Sequence, residues 1–241
     1  MTETITSVHN AKVRQLLALQ QKSAERRAAG LFVVEGRREL DRCTEAGYTA
    51  DALFFCPEIM PYEQALALAD PNTQLITVSA AVYQKLAYRG GTEGVIATVR
   101  TRHTTLDELR LGERPLVVVL ESVEKPGNLG AILRSADAAQ ADAVIVCDPL
   151  TDLFNPNLIR SSLGGIFSVP CVVCTSQECI DFLHGRGIQI LTAQLQDSQL
   201  YYDTDMRQPT AIVMGTESTG LTDTWRRAAD AHIRIPMLGR I

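Results

Sequence analysis

Apolar residues along this chain fall into short runs of strand length, separated by segments in which they recur every third or fourth position. Through the first hundred residues this pattern predicts a helix over 12–27, a strand over 31–36 (LFVVEG), a helix over 38–46 and a strand over 52–56. It continues with a helix over 62–69, a strand over 74–79, a helix over 80–86 and a strand over 94–100. That alternation describes a small α/β domain over 1–100. A polar stretch, TRHTTLDELRLGER, then reads as a linker over 101–114, and 115–241 forms a second domain. There the strands fall at 116–122, 143–148, 168–174, 188–194 and 210–215, with a last one at 231–237. Helices lie between them over 129–139, 157–166, 178–185 and 222–229. Strands that are apolar almost throughout and alternate with helices predict an α/β domain on a parallel sheet covered on both faces. Ligands of such sheets bind outside the carboxyl ends of the strands. The chemistry is therefore expected in ESVEKPGN, CDPLTDLFNPN, TAQ and MGTESTGL, the loops that follow strands.

Composition changes this picture little. With 46% hydrophobic and 21% charged residues the chain has an ordinary globular composition, with neither a membrane-length apolar run nor a secretory leader pattern. A cytoplasmic protein with no membrane partner is the expectation. The six cysteines sit mostly within apolar runs, so free thiols are expected. CVVC, from Cys171 to Cys174, reads as a buried strand before it reads as a zinc or redox pair, and no metal is expected. The formal net charge is −5, yet residues 1–42 carry eight Lys/Arg against five acids. Such a local excess fits either a solvated helix face or a nucleic-acid contact.

Two loops carry distinctive chemistry. In KPGNLGAILR, Pro126 and Gly127 allow a sharp exit from the strand. Asn128 is placed to cap the following helix, and Gly130 and Arg134 share one helical face. An arginine near an exposed helix start suits a phosphate or carboxylate; the alternative is a capped core helix with a salt-bridged arginine. In MGTESTGL, Gly215 and Gly220 flank the carboxylate of Glu217, which fits a tight loop. Glu217 would either cap backbone donors or pair with Arg134. No dinucleotide fingerprint or phosphate loop is present.

NLGAILR, MGTESTG and IRIPMLG, in this order and spacing, resemble the three signatures of the SpoU/TrmH RNA ribose methyltransferases. ITSVHNAKVRQLLAL, FVVEG and EGVIATV resemble the family's RNA-binding domain, which is similar in fold to a ribosomal protein. The resemblance implies S-adenosylmethionine as methyl donor, a homodimer, a trefoil knot in the C-terminal segment and methylation of a ribose 2′-hydroxyl. Ribosomal RNA is the expected substrate; transfer RNA, or a non-catalytic RNA-binding module, is the alternative. By position it implies catalytic or orienting roles for Asn128, Arg134 and Glu217. Gly215, Gly220, Ile235, Met237 and Leu238 would line the cofactor site, with Thr192 and Ala193 in the adjoining loop. It also makes Arg26, Arg27 and Arg37 the candidate RNA contacts. The family's third signature runs on into a serine-leucine-asparagine segment and a final helix, so IRIPMLG is expected to be an incomplete knot segment.

Overall fold

The computed structural model describes residues 3–88 and 93–239. They divide into two units: Met1–Arg102 with Asp152–Ser168, and His103–Thr151 with Val169–Ile241. The chain thus leaves the second unit after Thr151 and returns to it at Val169, an excursion that the sequence pattern did not show.

The first unit begins with β1 (Glu3–Ile5), α1 (Ala11–Gln21), α2 (Ser23–Ala29), β2 (Leu31–Glu35) and α3 (Arg37–Glu45). It continues through β3 (Ala50–Phe55), α4 (Tyr62–Ala67), β4 (Gln74–Val78), α5 (Ala80–Leu86) and β5 (Val95–Arg100). The sheet order is β1-β4-β3-β5-β2, with β5 antiparallel to both of its neighbours and the other pairs parallel. Asn10 caps α1 by accepting from the Lys12 N–H at 2.9 Å, and Val13, Leu16 and Leu19 turn one face of the helix into the core.

The single helix expected over 12–27 is broken at Lys22, whose backbone is extended (φ −122°, ψ 118°). Arg26 makes that break stable. Its guanidinium donates to the carbonyl of Leu19 at 2.6 Å, one of the carbonyls that the end of α1 leaves without a helical partner, and Nε pairs with Asp152 at 2.6 Å. At 3% exposure Arg26 is a core ion pair and not an RNA contact, which corrects the sequence expectation for this residue.

The returning segment adds α7 (Pro156–Ser161) and α8 (Gly165–Ser168), in place of one helix over 157–166. Phe154 stacks on Phe32 with ring centres 4.5 Å apart, and Phe167 and Tyr48 close the same aromatic cluster. The other elements lie in the second unit: β6 (Leu116–Glu121), α6 (Pro126–Ala138), β7 (Ala143–Cys147), β8 (Cys171–Cys174) and α9 (Ser176–Gly185). After them come β9 (Gln189–Ala193), β10 (Gln199–Leu200), β11 (Thr210–Met214), α10 (Asp223–Ala228) and β12 (Ala231–Arg234). The sheet order is β10-β12-β9-β11-β6-β7-β8, and every pairing is parallel, as the apolar strands predicted. Every residue of β7 is buried. Val119, Ile145, Val213 and Trp225 belong to the core over one face of this sheet.

The expected linker over 101–114 is more ordered than a linker. Leu109 is buried in the same core, Leu106 and Leu111 pack against it, and Thr104 forms a bridge with Val172. Among the described residues no helix is long and apolar enough to cross a membrane.

Replacing Arg26 by alanine would strand the Asp152 carboxylate and expose unpaired carbonyls at the end of α1. We expect a loss of about 3 kcal/mol in denaturant unfolding, with Arg27→Ala, at an exposed position, near wild type. Equal stability of the two variants would contradict this role for Arg26.

Candidate active site

Parallel pairing brings the ends of β12, β9, β11 and β6 side by side along one edge. At the end of β6 the buried carboxylate of Glu121 accepts from the Thr222 N–H at 2.8 Å and from its hydroxyl at 2.7 Å. This ties the strand to the start of α10 and so fixes one end of the loop over 215–221. The loop then closes on itself. Thr216 and Gly220 exchange backbone hydrogen bonds of 3.2 and 3.1 Å, and the Thr219 N–H donates to the Thr216 hydroxyl at 3.1 Å. Gly215 is required by this closure, because a Cβ there would run into the backbone of Gly220 and come within 2.5 Å of the Leu221 nitrogen. Gly220 itself has a left-handed φ of +70°.

The loop presents Glu217 to the start of α6. Its carboxylate accepts from the Lys125 ammonium at 2.6 Å and from the Asn128 side-chain amide. The hydrogen bond from Lys125, and then that from Asn128, hold the Glu217 carboxyl below the usual glutamate range, while Glu217 raises Lys125 in turn. Helix α6 starts at Pro126, which takes the first helical position because its missing N–H is not needed there. Asn128 is therefore not the cap: it lies inside the first turn with its amide committed to Glu217, a correction to the expected role. Gly130 is buried in α6 and does not bare backbone to a ligand. Arg134 is exposed on α6, about 120° round the helix from Asn128, so the two do not share a face. Lys125, central to the constellation, and Glu121 were missed by sequence reasoning, although both lie in the quoted ESVEKPGN.

A cleft of about 450 Å³ is lined by Glu121, Lys125, Asn128, Ile132, Gly215 and Glu217, among others. Of the expected cofactor residues, Gly215 alone lines it. Gly220 closes the same loop without lining the cleft, and the others lie at or after the ends of β9 and β12. Thr192 is buried, with its hydroxyl 2.6 Å from Nδ1 of His232, and Ala193 is in register with Ile233. Ile235, Met237 and Leu238 follow β12 and are 56%, 74% and 95% exposed. At Gln194, directly after β9, the side-chain oxygen is buried and has no hydrogen-bond partner among the described residues. An orphaned acceptor at the end of β9, on a residue whose backbone N–H donates to Ile233 of the strand that leads into the exposed apolar residues, suits a ligand with an N–H donor on a flat apolar body. The adenine moiety of S-adenosylmethionine has that chemistry.

Of the expected RNA contacts in the first unit, Arg27 is exposed, and Arg37 is exposed but shares its charge with Asp41 at 3.6 Å. The two sulfurs of CVVC do not form a site, since residues three apart on a strand point to opposite faces. Instead Cys174, partly buried, lies 4.0 Å from the core residue Cys147, and the core residue Cys179 completes a trio of thiols. All six cysteines are free.

Comparison with known proteins agrees with this fold. The SpoU rRNA Methylase family matches residues 115–241, and the MRM3-like substrate binding domain matches residues 10–97. The 23S rRNA (uridine(2479)-2′-O)-methyltransferase of Streptomyces viridochromogenes is 32% identical over 98% of this chain and 84% of its own length. The 23S rRNA (guanosine(2553)-2′-O)-methyltransferase RlmP of Bacillus subtilis is 26% identical over 98% of this chain and 91% of its own. Among solved structures, the AdoMet-bound rRNA methyltransferase from Sinorhizobium meliloti superposes with a TM-score of 0.90 at 28% identity, over 99% of this chain and 90% of that one.

The Glu217 contacts make a prediction about pH. The pairing is present above the ordinary glutamate pKa and is lost as pH falls through the lowered value of Glu217. Lys125→Ala should therefore move the carboxyl titration, followed by side-chain carbon NMR, upward toward that of a free glutamate. An unchanged titration would show that Lys125 does not hold the carboxylate. Sequence motifs, sheet topology and family match converge: the chain belongs to the SpoU rRNA methylase family.

Proposed function

We propose that this protein transfers the methyl group of S-adenosylmethionine to a ribose 2′-oxygen in ribosomal RNA. The observation that carries the reading is the Lys125–Glu217–Asn128 constellation, set at the carboxyl edge of a parallel sheet in a chain of this family. The named 23S rRNA activities of the relatives support ribosomal RNA over transfer RNA. Gly215, Gly220, Thr192, Ala193, Ile235, Met237 and Leu238 would hold the cofactor, which supplies an electrophilic methyl group on a sulfonium. The reading includes a homodimer, supported by the apolar side chains of Leu195, Ile235, Met237 and Leu238 that the chain leaves exposed, and a knotted C-terminal crossing.

The residues divide the work according to their charge states. Glu217, with its pKa lowered, is a poor proton acceptor near neutral pH and acts by orienting the Asn128 amide. A guanidinium offers donors and no acceptor, so the part of Arg134 is to hold an RNA phosphate and stabilise charge developing on the 2′-oxygen. Most of the acceleration then comes from alignment of the attacking oxygen with the methyl group, and the hydroxyl proton leaves to water. The presence of Asn128, Arg134 and Glu217 together favours an enzyme over a non-catalytic binding module.

The test is transfer of labelled methyl from S-adenosylmethionine to unmodified 23S rRNA transcribed in vitro, followed by nuclease digestion to locate the label. We expect label on a ribose, with Arg134→Ala and Asn128→Ala each slower by a factor on the order of 10². Arg134→Lys should also be impaired, because an ammonium cannot reproduce the planar fork. Label on a base, or full activity in Arg134→Ala, would overturn the proposal.

A further inference from the structure

The first unit has a groove of its own, about 510 Å³, bounded by the α1–α2 junction and the end of α5. Among the described residues three cations line it, Arg14, Lys22 and Lys85, and no acidic residue does. Among the described residues no hydrogen bond or ion pair engages their head groups, and all three are exposed. Leu17 and Ala87 contribute apolar lining. The Gln20 amide ties the two walls together by donating to the Leu86 carbonyl at 2.8 Å.

Tyr88 also lines the groove, and its position is fixed twice over. Its backbone N–H donates to both oxygens of the Glu35 carboxylate at 3.1 Å, and the guanidinium of Arg160 lies 4.3 Å from the ring centre. The residue nevertheless remains 51% exposed. A held, half-exposed tyrosine in a groove with three cations that no described residue pairs meets the two requirements of single-stranded nucleic acid, a stacking surface for a base and countercharge for the backbone. An acidic peptide would use the cations but leave the ring without a role.

We propose that this groove binds a single-stranded segment of the RNA substrate, with phosphates on Arg14, Lys22 and Lys85 and one unstacked base on the exposed side of Tyr88. The inference rests on the reading that the protein acts on RNA, and it moves the main RNA contact from Arg26, Arg27 and Arg37 to side chains that the sequence pattern did not single out.

The experiment measures binding of 23S rRNA transcribed in vitro to the full chain across a salt series. The variants are Arg14→Gln/Lys22→Gln/Lys85→Gln, Tyr88→Ala and Tyr88→Phe, each checked by circular dichroism. We expect the triple variant to lower the salt slope by about 2, since each phosphate contact on a single strand contributes roughly 0.7. Tyr88→Ala should weaken binding about tenfold with little change in slope, and Tyr88→Phe should restore it. A single-stranded oligonucleotide should compete better than a duplex of equal length. If the wild-type chain binds RNA and the triple variant binds it with the same affinity and slope, the groove is not the contact surface. If the wild-type chain binds no RNA at all, the functional reading itself fails.

Discussion

The structure of the second unit depends on one constraint: every strand pair in its sheet is parallel. Parallel strands need crossovers that cover both faces, and they deliver all of their carboxyl ends to one edge. Loops far apart in sequence therefore meet there without further design. The Glu217 loop follows β11, Asn128 follows β6, and Ile235 follows β12, yet these strands lie within four consecutive places of the sheet. What the sheet does not supply is the shape of the loop over 215–221. That comes from Gly215, where any side chain would collide with Gly220, and from Glu121, which anchors the loop's far end through Thr222.

Much of this was legible because period and position agree. Continuous apolar strands announced the parallel sheet, and the glycine pair around Glu217 announced a tight loop. The partner of Glu217 was not legible in the same way. Lys125 is an exposed lysine beside a proline, and nothing in its local pattern sets it apart from any other surface lysine; only the fold brings it 2.6 Å from the carboxylate. Asn128 was misplaced for a related reason. It is a good helix cap by type, but Pro126 two residues earlier is a better first helical residue and moves the start of the helix forward.

Arg26 shows the opposite limit. In sequence it belongs to a basic run and looks solvated, whereas in the fold it is among the most buried charges because Asp152, distant along the chain, reaches it. The break between α1 and α2 could not be read from periodicity, since the apolar spacing continues through it. The same blindness hid the excursion over 152–168, whose aromatic residues gave no sign of belonging with Phe32 and Tyr48. Long-range pairing decides such cases, and a pattern along the chain does not record it.

In the proposed function the closed loop over 215–221 builds the cofactor side of the site. Calorimetric titration of S-adenosylmethionine into the wild-type chain and into Gly215→Ala tests it most directly, with circular dichroism to establish that the sheet is intact. Saturable binding by the wild type and its loss in the variant are expected, because the added methyl group and the Gly220 backbone cannot occupy the same space. Equal binding by both chains would contradict it.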